Sequence, residues 1–205
     1  SEHDYENEIL SSVSGYNPGP CEDWMRELLN QFSPESNSKI DYFHDLNGYK
    51  NVRNWINCFF EEIKQIVRAF NRQVELPCLR VYYEKPDYQR TIPNEEIALA
   101  DRVDEYFEGH FVTRHYSLLL KGTKEKIQVY LIPVDLLIGM SVNSVDPHWE
   151  PLLTIQVLSD EKARVVQLSG HKEFQKDIDR ETVKDMAKWL FSSLIQEEAK
   201  MVSVA

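Results

Sequence analysis

Nine apolar residues set the strongest constraint in this chain. Val52, Trp55, Ile56, Phe59, Phe60, Ile63, Ile66, Val67 and Phe70 recur at alternating steps of three and four. Residues spaced in this way lie along one side of an α-helix, so the pattern predicts a long amphipathic helix over residues 51–74. Asn51, Arg53, Asn54, Glu61, Glu62, Lys64, Gln65 and Arg68 take the solvent side. A stripe that long needs a broad apolar partner, which a sheet supplies.

The partner is legible further on. "LRVYYEK" (79–85) alternates as a strand. Residues 94–108 read as a second helix, with Asn94 as cap, Gly109 past the end, and Ile97, Ala100, Val103 and Phe107 on its apolar face. From Phe111 the period changes to two. Residues 111–120 and 127–137 predict a hairpin turning near Gly122, and residues 152–158 and 164–169 a second, turning at "SDEK" (159–162). Pro133 lacks a ladder donor and marks an edge or a bulge. A final helix over 179–200 carries Val183, Met186, Ala187, Leu190, Phe191 and Leu194, with Asp179 as cap.

Consecutive strands joined by short turns imply antiparallel pairing. The expected fold is α+β: a meander of about 4–5 strands, packed on a long central helix and a C-terminal helix, with one sheet face free to meet water. Residues 51–205 read as one domain. Residues 1–50 read as a loosely structured acidic arm with one short helix near Asp23–Phe32, since "SGYNPGPCED" and "FSPESNSKID" are rich in loop formers.

Charge narrows the function. The chain is net −11, and residues 1–50 hold ten acids against three bases. Nucleic acid and anionic membrane surfaces both demand a basic face, so neither is an expected partner. The acidic, polar start does not read as a signal peptide, and no apolar run is long enough to span a bilayer. Cys21, Cys58 and Cys78 are odd in number and form no C-x-x-C pair, which suits a reducing cytoplasm, with Cys58 packed as a small hydrophobe.

Motifs that carry chemistry are scarce. The glycine-rich phosphate loops, the nucleophile elbow and the zinc-helix motif are absent from the sequence. "DPHWEP" sets Asp146, His148 and Glu150 on one side of an extended chain, a donor set that a divalent metal would accept, but no supporting shell is evident, and the favoured reading is a proline-bounded loop with Trp149 packed inward and no metal site. His115, read within a strand beside Thr113 and Ser117, has the chemistry of a general base, but a hydrogen-bonded structural or solvent-facing residue is the favoured reading. Lys121, Lys124 and Lys126 form a small basic hairpin tip.

Aromatic residues in the arm weigh more. Trp and Tyr anchor protein interfaces, and Trp24, Tyr42 and Phe43 fall in polar, loop-rich surroundings. The reading is therefore a non-catalytic protein-interaction or adaptor module of an intracellular assembly, with no cofactor and a protein partner. Candidate contact residues are Trp24, Tyr42, Phe43, Arg114, His115, Tyr116 and Trp149. The alternative is a small-molecule-binding domain or enzyme with a pocket between sheet and helices.

Overall fold

The computed structural model describes residues 22–31, 49–91, 104–134, 149–170 and 175–203. Helix α1 spans Asp23–Asn30 and helix α2 spans Tyr49–Asn71. A 3-10 turn at Pro77–Leu79 leads into strands β1 (Tyr82–Thr91), β2 (Asp104–Val112), β3 (Tyr116–Gly122), β4 (Lys126–Pro133), β5 (Leu153–Val157), β6 (Ala163–Leu168) and β7 (Lys176–Ile178). Helix α3, Arg180–Ser203, closes the described chain. Among the described residues the strands pair with their sequence neighbours, antiparallel throughout, in one seven-stranded meander.

The α+β class and the meander agree with the sequence pattern, but the strand count does not. Three differences account for the excess over 4–5 strands. Residues 104–108 are not helical but open β2, with Phe107 opposite Gly122. Phe107 is buried as the helix reading required, but a residue at a period of two and one at a period of four are indistinguishable when so few apolar positions define them. The presumed single strand 111–120 is split by a turn at Thr113–His115, where the Thr113 N–H donates to the Tyr116 carbonyl at 2.9 Å. Finally, β7 is only three residues long, too short to show a period.

Both long helices lie on one face of the sheet. Trp55, Ile56, Phe59, Phe60, Ile63 and Val67 of α2 and Val183, Ala187, Leu190 and Leu194 of α3 share one core with Phe111, Leu118, Leu120, Ile127, Val129, Leu153 and Ile155. Phe60 stacks on Phe111 with centroids 4.6 Å apart and meets Tyr83 edge-on. Gly122 lets α2 approach closely, because a Cβ there would stand 2.8 Å from Val52 Cγ1. Gly109 serves a second close approach: a Cβ would fall 2.7 Å from the backbone nitrogen of Pro86, within the bulge that interrupts β1 between Glu84 and Asp87. Pro133 ends β4 where only β3 pairs with it, since β5 reaches no further than Val129.

Polar groups fix the helix ends. The Asn71 amide donates to the Val81 carbonyl at 2.8 Å and accepts from the Val81 N–H at 3.0 Å, so a buried side chain completes the ladder at the start of β1. Asp179 caps α3 as expected, accepting from the Thr182 N–H at 2.9 Å. Arg180 lies over the Trp55 ring at 4.2 Å and donates to the Asp160 carbonyl at 2.8 Å, while the Trp55 indole donates to the Ser159 carbonyl. The β5–β6 turn is thereby locked against the first turns of both helices.

The second face of the sheet is not simply wet. Leu119, Tyr130 and Ile132 point away from the helices and are buried, with Trp149 packed against them. Among the described residues no helix is long and apolar enough to cross a membrane.

Candidate functional site

The residues proposed from sequence fall in separate places. Trp24 is exposed on α1, whereas Tyr42, Phe43, Asp146 and His148 lie outside the described residues. Arg114 and His115 occupy the β2–β3 turn, and Tyr116 opens β3. Trp149 packs on the opposite face of the sheet, and Glu150 is exposed. Among the described residues no group of three or more His, Cys, Asp or Glu side chains could hold a metal ion. Cys58 packs against the core as expected.

The β2–β3 turn is a built polar cluster. Glu198, fully buried on α3, accepts from the His115 N–H at 3.0 Å and the Thr113 hydroxyl at 3.1 Å through one oxygen. Its other oxygen stands 2.8 Å from His115 Nδ1. A carboxylate that holds Nδ1–H leaves Nε2 as the ring acceptor, the arrangement of the base in a nucleophilic triad. The neighbouring hydroxyl is committed elsewhere, however, because Thr113 donates to Glu198 and not to the imidazole. The cluster therefore acts as a staple that fastens the hairpin turn to α3. His115 does not continue the strand face of Phe111, Thr113, Ser117 and Leu119, because the chain reverses there.

Glu198 was not singled out by sequence reasoning, and a signal for it exists. Counting in fours along the buried stripe, Leu190 and Leu194 lead to position 198. An acid at the next position of a buried stripe demands buried donors, and the β2–β3 turn supplies them.

A second polar group lies on the face away from the helices. His110 Nε2 is 3.3 Å from a Glu84 carboxylate oxygen across the β1–β2 pair. Burial lowers the His110 pKa from its ordinary value, against the pull of Glu84. Burial raises the pKa of Glu108, reinforced by Glu84 and opposed by Lys121, which stands opposite it on β3. The Lys121 ammonium lies over the Tyr106 ring at 4.5 Å, so one cation of the presumed hairpin tip belongs to this sheet face. Ser117 carries a buried hydroxyl with no hydrogen-bond partner.

A concave feature beside α3 is apolar. Leu153, Val165, Leu168 and Ile178 present helix-side positions of β5, β6 and β7, and Met186 and Trp189 of α3 form the facing wall. Together they line a half-open groove of about 270 Å³, with Lys176, Thr182 and Asp185 as its polar members. Thr182, Asp185, Met186 and Trp189 follow at steps of three, one and three, so they form a single flank of α3. Trp189 remains 38% exposed, which leaves a large aromatic surface at the rim. No family model, curated protein or solved structure matches the chain.

Proposed function

We propose that the chain is a non-catalytic protein-interaction module that receives an amphipathic helix in the groove between β5–β7 and α3. One observation carries this reading: core-facing side chains of three strands and the Trp189 indole line a groove that opens to solvent. Helix-in-groove recognition needs an apolar trough with room for anchors one turn apart, plus polar groups at the rim to fix orientation. Leu153, Val165, Leu168 and Met186 supply the trough, and Lys176 and Asp185 supply rim charges of opposite sign. Trp is also the residue type most enriched among interface anchors.

A small apolar ligand is the second reading, favoured by the same lining. At about 270 Å³ the cavity falls just under the usual range for small-molecule sites, roughly 300–1,000 Å³. It opens to solvent beside the exposed Trp189, which suits an occupant larger than the cavity itself. Titration of the 205-residue chain separates the two. The probe is a fluorescent amphipathic helical peptide with Trp and Leu one turn apart. The expected outcome is saturable binding that Trp189→Asp abolishes. Binding of an apolar dye in the groove with no binding of the peptide would establish the small-ligand reading instead.

A further inference from the structure

The width of the sheet exceeds the width of the helix layer that covers it. Seven strands place β1 and β7 about 29 Å apart, taking roughly 4.8 Å per strand gap. Two packed helices, each about 10 Å across, cover about 20 Å. The shortfall is close to the width of one more helix. It falls at β5–β7 on the outer flank of α3, where the groove lies.

Among the described residues, helix α1 buries none of its side chains. Every described residue of α1 is exposed, including Trp24 at 58%, Met25 at 41%, Leu28 at 48% and Leu29 at 57%. Successive helical residues are about 100° apart, so these four side chains fall within an arc of about 140° and form one apolar face. Its eight residues make α1 about 12 Å long, comparable with the lengths of β5–β7, which run three to six residues at about 3.3 Å each. The Trp24 indole donates to the Glu22 carboxylate, so the ring can enter an apolar trough with its N–H already satisfied.

We infer that the groove over β5–β7 is the docking site for α1 of the same chain, which completes a three-helix layer and occludes the site from other partners. This deepens the reading above, since it assigns an occupant to that groove. The connection favours docking in cis. Residues 31–48 join α1 to α2, and eighteen residues can reach at most about 60 Å. They enter α2 at Tyr49, which packs on Phe107 of β2, and the distance from β2 to β7, about 24 Å at roughly 4.8 Å per strand gap, lies well within that reach. A tethered helix acts at an effective concentration in the millimolar range, so modest affinity suffices to hold it.

Nuclear magnetic resonance of the full chain tests this through the Trp24 indole N–H signal. Leu28→Asp removes an α1 anchor, and Trp189→Asp alters the groove at an exposed position. The expected result is that both variants move the Trp24 signal to the same free position and that the double variant moves it no further. Leu28→Asp should also tighten binding of the peptide probe about tenfold relative to the unaltered chain, the shift expected when only about a tenth of the grooves are free. A Trp24 signal indifferent to Trp189→Asp overturns the inference. So does a signal change that disappears on dilution together with a dimer seen by sedimentation, which would make the occupant α1 of a second copy. Equal peptide affinity in both chains overturns docking in cis but leaves helix binding intact. Failure of the peptide to bind even Leu28→Asp removes the functional reading, while the Trp24 signal still decides the occupant.

Discussion

The helix-side face of the sheet is apolar at both ends, yet the two ends differ in what covers it. Over β1–β4, Phe60, Phe111, Leu118 and Leu120 are enclosed between α2 and the strands. Over β5–β7, Val165 and Ile178 belong to the same core but also line a groove that opens beside α3. Side-chain chemistry is alike in the two regions; helix coverage is not. An apolar strand face is thus a structural element or a recognition surface according to how far its neighbours extend.

The largest break in this comparison is expected at the covered end. Phe60→Ala removes a ring stacked on Phe111 from a fully enclosed site, and the cavity should cost about 3–5 kcal/mol, read as a lowered urea midpoint. A loss under about 1 kcal/mol would mean that α2 is not packed on the sheet. Glu198→Ala comes next. It leaves the His115 N–H without its acceptor and the Thr113 hydroxyl with only the Tyr116 carbonyl at 3.3 Å, a cost of about 2 kcal/mol in the same melts.

Ile178→Ala probes the open end. The loss should be about 2 kcal/mol, the lower end of the range for such truncations, because the groove already reaches this side chain and no closed cavity is left. A loss equal to that of Phe60→Ala would show that the two ends are covered alike.

The smallest effects concern pH and belong to the far face of the sheet. His110 has a folded pKa below its ordinary 6.5, so the folded state binds its proton less readily than the unfolded state. Its contribution is present above pH 6.5 and is lost as pH falls through the folded value. Glu108 has a folded pKa above its ordinary 4.5, so the unfolded state ionises first and stability declines as pH rises from 4.5 through the folded value. The two oppose each other between pH 4.5 and 6.5. Urea melts across this range should show His110→Gln losing less stability than the unaltered chain on acidification, and Glu108→Gln losing less on alkalisation.

Legibility followed the length of each pattern. The α2 stripe runs through nine apolar residues, and its helix is found at Tyr49–Asn71, within three residues of the expected bounds at each end. The β5–β6 hairpin is equally plain, because five and six alternating residues flank a polar turn. Residues 104–108 misled because Phe107 satisfies a helical and an extended pattern alike. The Thr113–His115 turn carries no glycine or proline, so the reversal left no mark in the residue types that usually announce one. Of the residues marked as candidate contacts, Trp24 alone reappears in the proposed recognition pair. The groove escaped because its walls read as ordinary core positions.

The sequence by itself determined the helical and extended periods, the meander order and the acidity of the first fifty residues, because each is a property of neighbours along the chain. The tertiary structure alone decided that Glu198 meets a turn 83 residues away, that Asn71 completes the start of β1, and that the apolar faces of β6 and β7 are left beside a groove. Periodicity records which side of an element is apolar. Whether that side is covered depends on the widths of two layers, fixed by strand spacing and helix diameter, which no local pattern encodes.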